Sequence, residues 1–315
     1  NSFCTLLRLT ETAAPGMLVT FARHCESTNN VLSEKLRTRR IEFELKRDPD
    51  PLLSDRGHLQ TAALAERVAF DLHDDCSMVI ASYCRRALQT GSILARAIRA
   101  ASTEGSVGSK CKVHARKHFA EIGGNYESFL VTSSNGDSAA AAPLDVPDDT
   151  DVEALPKPVA FGHRVVPGLT SFAAVADYGG PDLVEVEPSE GCDEGWWRPE
   201  DPTEAKESMK AATERARRVW AHIADIAATG RHTSIVVVTH GHLYAVMMHE
   251  AYGQFVGRKP SGGMHVRIPN AGITQVAVAH DPDAAGPLPL RLELQVECCA
   301  KHLADVGCLH NRHTE

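Results

Sequence analysis

Three short segments of the chain, 17–22, 77–81 and 234–239, are almost continuously apolar and rich in β-branched residues. Runs of that length and composition suit central strands of a parallel sheet, buried on both faces. Between them, apolar positions recur at helical spacing. Ser54 is placed to cap a helix with Asp55 in its first turn, and Leu59, Ala63 and Val68 carry an apolar stripe to about Phe70. A second helix is expected from near Ser82 through Leu88, Ile93, Leu94 and Ile98. A third has Asp201 as N-cap, Pro202 at the first helical position and Glu204 closing a capping-box-like arrangement. Its face is Met209, Ala212, Ala216, Val219, Trp220, Ile223 and Ile226, and Gly230 sits just past its end. Residues 272–279 and 290–296 read as two further strands, an antiparallel edge pair. This alternation of strand and helix predicts an α/β fold with a largely parallel sheet.

Two stretches break the pattern. Residues 131–160 read as a long polar insertion with several Pro and Asp, and 161–200 mix Gly, Pro and aromatics, including Gly195-Trp196-Trp197. Both are expected to cap the sheet edge, which makes residues 1–315 one domain with an inserted cap region at 125–200.

Composition narrows the ligand class. The 315 residues are 43% hydrophobic, ample for a sizeable core, and 33 Lys plus Arg stand against 41 Asp plus Glu, a net charge of −8. That balance argues against general binding of nucleic acid or an anionic membrane, and leaves room for a small anionic ligand held by a local Arg cluster. Nine Cys without regular spacing predict reduced thiols and a cytoplasmic home. No apolar run approaches the ~20 residues that span a bilayer, and the first residues show no secretory signal. Nothing in the pattern reports an oligomeric state.

The candidate chemistry lies directly after the three strands. Arg23-His24-Cys25-Glu26-Ser27 follows the first, Ser82 through Thr90 (with Arg85 and Arg86) follows the second, and Thr239-His240-Gly241-His242 follows the third. Ligands of open α/β sheets bind at that edge. An imidazole there can attack phosphorus or carry protons near neutral pH, guanidinium groups match phosphate oxygens, and a helix N-terminus favours an anion. Gly241 permits close backbone approach or an unusual φ.

Together these segments resemble the histidine phosphatase superfamily, the group that includes the cofactor-dependent phosphoglycerate mutases. Its Arg-His-Gly-Glu-Ser/Thr signature, with an Asn three residues further on, is matched by Arg23 to Ser27 with Asn30, except that Cys25 stands for Gly. Its Ser-x-x-x-Arg-Ala-x-Gln-Thr segment is matched by 82–90, which selects Arg86 over Arg85. Thr239-His240-Gly241 matches the late Ser/Thr-His-Gly segment, and Glu121 through Glu127 match an intermediate Glu followed by Gly and an aromatic–Glu pair. Residues 51–57 and 269–274 resemble two lesser segments. The resemblance implies a phosphoglycerate mutase-like three-layer α/β sandwich with a cap-like insertion. It also implies that His24 forms a phosphohistidine while Arg23, Arg86 and His240 neutralise the phosphoryl oxygens. Asn30, Ser27, Thr239 and Gly241 would complete the substrate-binding set. Glu121 would protonate the leaving oxygen and then deprotonate the attacking water. No metal or cofactor is expected, because the guanidiniums supply the positive charge.

The expected activity is therefore hydrolysis of a small phosphate monoester. Phosphoglycerate mutases carry a Phe-x-Gly-Trp element after the Asn, and this chain reads Val31-Leu32-Ser33-Glu34-Lys35-Leu36 there, so mutase-type transfer is the alternative. A catalytically silent phospho-ligand binding protein is the other, and the intact His24, Arg86, Glu121 and His240 argue against it. Cys25 is expected to crowd the loop or make the site oxidation-sensitive. Cys192 through Arg198 has the C-x5-R spacing of cysteine phosphatases but no preceding strand, and two carboxylates beside Cys192 would repel phosphate. His242 is expected to pack or to support the site from behind. The tail with Cys298, Cys299, His302, Cys308, His310 and His313 is expected to be solvated with one structural Cys, and Arg37 to Arg40 to form a charged helix face that could extend the anionic pocket.

Overall fold

The computed structural model describes residues 16–131, 150–154, 160–166, 171–186, 207–260, 268–284, 286 and 288–307. In chain order the elements are β1 (Met17–Arg23), α1 (Thr28–Lys35), α2 (Arg40–Lys46), α3 (Asp55–Leu72), β2 (Cys76–Ala81) and α4 (Arg85–Ala101). Then come β3 (Lys112–Ala115), β4 (Tyr126–Val131), β5 (Ala160–Val165), α5 (Ser171–Tyr178) and β6 (Val184–Val186). The last are α6 (Met209–Ala228), β7 (Ser234–Thr239), α7 (Gly241–Glu250), β8 (Ile273–His280) and β9 (Leu290–Cys299).

Seven strands form one sheet in the order β6-β3-β2-β7-β1-β8-β9. The first five run parallel, and β8 and β9 add the antiparallel edge pair that the sequence predicts. Successive residues of the central strands point to opposite faces, so their continuous apolar character builds two cores. Ala22, Val236 and Val238 pack with α3, α4 and α5 on one face. Val19, Phe21, Ile235 and Val237 pack with α6 and α7 on the other. The result is a three-layer α/β sandwich. β4 and β5 form a separate antiparallel ribbon, whereas β6 joins the central sheet beside β3. The stretch expected to cap the sheet thus supplies both a ribbon and an edge strand. No helix of the described residues is long and apolar enough to cross a membrane.

Three helix expectations are corrected. Leu59 and Phe70 are 62% and 75% exposed. The buried stripe of α3 is Leu64, Val68 and Leu72, at a spacing of four, with Gln60, Thr61, Ala65 and Ala69 beside it. α4 starts at Arg85, because Ser82 to Cys84 form the turn that carries the site. α6 starts at Met209, where the Ser208 hydroxyl accepts the Ala211 N–H; Asp201, Pro202 and Glu204 lie outside the described residues. Gly230 does end α6 with φ 62°. α7 escapes a periodicity reading because it is buried nearly all round, from Leu243 to Met248.

Trp220 anchors the α6/α7 layer: it is fully buried, packs edge-on to Phe21 at 5.6 Å and donates Nε1–H to the Met247 carbonyl at 2.8 Å. Trp220→Ala is expected to lower unfolding free energy by about 3–5 kcal/mol in urea titration, as for other large cavities.

Candidate active site

The strand order places β1 beside β7 and β7 beside β2, with Arg23 opposite Thr239 and Ala81 opposite Val238. Their three following segments therefore leave one edge side by side. The His24 backbone N–H bonds the Thr239 carbonyl at 2.9 Å, which docks the first segment on the third. His24 is buried, and its Nδ1 lies 2.7 Å from the Cys25 carbonyl. A carbonyl only accepts, so the proton sits on Nδ1 and Nε2 carries a lone pair. Arg86 donates to that Nε2 through Nε at 3.3 Å. Burial, then the charges of Arg86 and Arg23, hold the His24 imidazole well below its usual pKa, in the neutral form that can attack phosphorus.

His240 is equally buried, 5.1 Å from His24 between ring centroids, and is kept neutral by the same causes. Ser82 accepts the Cys84 N–H and lies 2.8 Å from His240 Nε2. The arrangement that satisfies the hydroxyl hydrogen has Ser82 donating, which leaves the proton on His240 Nδ1, a buried donor with no partner among the described residues. Arg23 donates to the Ile268 carbonyl at 3.0 Å. Gly241 serves close approach rather than unusual φ: a Cβ there would lie 3.3 Å from Arg23 Cζ, a tight contact with the guanidinium.

Asn30 Oδ1 accepts from the Ser27 N–H and hydroxyl, each at 3.0 Å, and from Asn270 Nδ2 at 3.2 Å. The backbone donor fixes the amide orientation, with Oδ1 on these contacts and Nδ2 turned away from them. Ser27 is the N-cap of α1 and acts through this box. Thr239 contributes its carbonyl to His24, and its hydroxyl is buried with no hydrogen-bond partner among the described residues. Glu121 lies at the start of α7: Oε1 accepts from Ile122 N at 2.9 Å and Leu243 N at 3.1 Å. Backbone N–H groups at the start of α7 thus hold the Glu121 carboxyl in place. Arg215, paired with Glu207, donates to the carbonyls of His118 and Ala120 at 2.7 Å and so holds the segment that delivers Glu121.

Sequence reasoning missed the residues that support the loop from behind. Asn270 Nδ2 also bonds the His24 carbonyl at 3.0 Å. Fully buried Gln60 takes the Glu26 N–H at 2.9 Å and donates to the Gly307 carbonyl at 2.9 Å. Glu26 latches onto Ser54 and Arg56, at the start of α3. Asp50 sits 3.8 Å from Arg86. Among these, Glu26, the segment 51–57 with Ser54 and Arg56, and the turn-like segment around Asn270 had a sequence signal, through the family resemblance; Gln60 and Asp50 had none.

Cys25 departs from both expectations made for it. Its side chain joins the α3/α4 core instead of crowding the loop, and burial pushes its thiol up to about 12, so it stays protonated and unreactive. His242 is exposed rather than packed, with its N–H 3.5 Å from Glu121 Oε2. Arg39 pairs with Glu42 and Asp151, which ties the insertion to α2. His302 bonds the Ala271 carbonyl at 3.0 Å, so that part of the tail is structural. Cys192 to Arg198, Cys308, His310 and His313 lie outside the described residues.

A model of the histidine phosphatase superfamily (branch 1) matches residues 19–135 and 175–284. No curated protein matches the sequence. Among solved structures, a mycobacterial glucosyl-3-phosphoglycerate phosphatase is 19% identical, covering 89% of this chain and 98% of that one at a TM-score of 0.43. The alpha-ribazole phosphatase from Shigella flexneri is 14% identical, with coverages of 90% and 96% and a TM-score of 0.45. The ecdysone phosphate phosphatase from Bombix mori is 10% identical, with coverages of 82% and 88% and a TM-score of 0.47.

Two outcomes follow from this packing. His24 and His240 are neutral when folded but bind protons near pH 6.5 when unfolded, and His114, lowered to about 4 by burial, behaves likewise. Their stability contribution is full above about pH 6.5 and is lost as pH falls toward the folded values, by up to about 1.4 kcal/mol per pH unit per histidine. Urea midpoints should thus fall between pH 7 and 5, and less steeply in His240→Asn. Separately, a Cβ on Gly57 would lie 2.0 Å from the Glu26 carbonyl oxygen, so Gly57→Ala must displace the loop after His24. It should lower the urea midpoint by the equivalent of about 1–3 kcal/mol.

Proposed function

The chain belongs to branch 1 of the histidine phosphatase superfamily, and on that premise we propose that it hydrolyses a small phosphate monoester through a phosphohistidine at His24 Nε2. The observation that carries this reading is the state of His24: neutral, with Nδ1–H held by the Cys25 carbonyl and the Nε2 lone pair turned toward the Arg86 guanidinium. Nε2 attacks phosphorus in line, and the bond to the ester oxygen breaks as the Glu121 carboxyl gives that oxygen its proton. Arg23, Arg86, Asn30 Nδ2 and His240 Nδ1–H stabilise the charge on the equatorial oxygens. In the second half Glu121, now a carboxylate, takes a proton from water, whose oxygen attacks phosphorus and frees His24. The guanidiniums meet the need for positive charge, which favours a metal-independent reaction. Splitting one displacement into two supplies a protein nucleophile that needs no activation beyond its tautomer.

Turnover of an aryl phosphate in excess chelator is expected from the wild type and only background from His24→Ala. Rapid quench should trap a phosphoenzyme that is acid-labile and alkali-stable, as a phosphoramidate is. Glu121→Gln should lose about 10²–10⁴-fold in kcat, the usual range for a general acid–base. An active His24→Ala protein would overturn the assignment. A wild type that turns over only in the presence of a bisphosphorylated primer would point to mutase-type transfer instead.

A further inference from the structure

Asp50 is a carboxylate beside the Arg86 guanidinium, and no step of the proposed reaction uses it. It lies in the loop between α2 and α3, with its side chain 12% exposed. Oδ1 accepts the Arg85 backbone N–H at 3.0 Å, at the first residue of α4. The residue at the N-cap of α4, Cys84, provides no side-chain acceptor. Asp50 therefore caps α4 from outside the helix, and its negative charge meets the positive end of the helix dipole.

The same oxygen lies 3.8 Å from Arg86 Nη1. Arg86 is thus held at two points: Nε bonds His24 Nε2 and Nη1 faces Asp50. A long side chain with four rotatable bonds keeps one pose only when both ends of its planar fork are engaged. Two contacts on different nitrogens thus limit the poses the guanidinium can sample. We propose that Asp50 is a positioning residue for Arg86, setting the guanidinium on which the phosphoryl oxygens land. This rests on the functional reading above.

Charge matters as well as geometry. The groups facing Asp50 are Arg85, Arg86 and Cys84 of the α4 start, Asp48 of its own loop, and Tyr178 of α5. Burial raises the Asp50 pKa against the pull of Arg86 and Arg85, and its Oδ2 has no hydrogen-bond partner among the described residues. Protonating Asp50 would release Arg86, so substrate affinity should weaken on the acid side in an Asp50-dependent way.

The test is a double-mutant cycle of Asp50→Ala and Arg86→Ala, read on kcat/KM for an aryl phosphate and on the calorimetric Kd for inorganic phosphate. Asp50→Asn, which keeps an acceptor for the Arg85 N–H, runs alongside with thermal unfolding. Asp50→Ala should lose roughly 10–100-fold, the scale of a misplaced binding group, and Asp50→Asn less, with the acid limb of its KM profile flattened. In the Arg86→Ala background, Asp50→Ala should change either readout by no more than about twofold, since its effect passes through Arg86. Additive losses in a parent that turns over or binds phosphate would overturn the inference alone. A parent that neither turns over aryl phosphate nor binds phosphate would overturn the functional reading, and this inference with it.

Discussion

The Arg86 Nε–H to His24 Nε2 contact, 3.3 Å long, can form only if that imidazole nitrogen is unprotonated. Two arginines and two histidines lie within one buried cluster at the ends of β1, β7 and β2. Four cations there would repel each other without solvent to screen them. Desolvation resolves this by leaving the guanidiniums charged, since they cannot titrate, and the imidazoles neutral. Each imidazole proton is then assigned by one neighbour, the Cys25 carbonyl for His24 and the Ser82 hydroxyl for His240. One lone pair and one N–H are left beside the guanidiniums, which suits an anion that accepts hydrogen bonds and presents an electrophilic centre.

Such a cluster is costly to hold, and the surrounding backbone is arranged to hold it. The loop after β1 has little regular structure of its own, yet nearly every polar group in it is engaged. Thr239, Asn270 and Gln60 bind its backbone, and Glu26 locks onto the α3 start. Gly57 makes that docking close enough to exclude any side chain. The C-terminal turn takes part through Gln60 and through His302, which bonds the carbonyl of Ala271, a residue at φ 57°. That turn lies beyond residue 284, where the match to the family model ends.

α2 and the β4–β5 ribbon pack against each other. Arg47 lies over the Tyr126 ring at 4.2 Å, and Ser128 bridges Glu44 and His163. Asp151 and Glu153 tie the described part of the insertion to the start of α2. The ribbon is thus fastened to α2 and to Arg47, at the start of the loop that carries Asp50.

The central strands, the apolar faces of α4 and α6, and the three candidate segments at the strand ends are legible in the sequence, because each is a local pattern. A buried strand needs a short β-branched run, and Arg-His, Arg86 and His240 stand next to such runs at spacings the chain itself displays. What tertiary structure decides are relations between distant residues. The pairing of Ser82 with His240 spans 158 positions and that of Asn270 with His24 spans 246. Which nitrogen carries a proton, why Cys25 is inert, why Leu59 faces solvent and why Asp50 reaches Arg86 all depend on which surfaces are packed together. Periodicity reports only that a face is apolar, while desolvation and hydrogen-bond partners belong to the assembled fold.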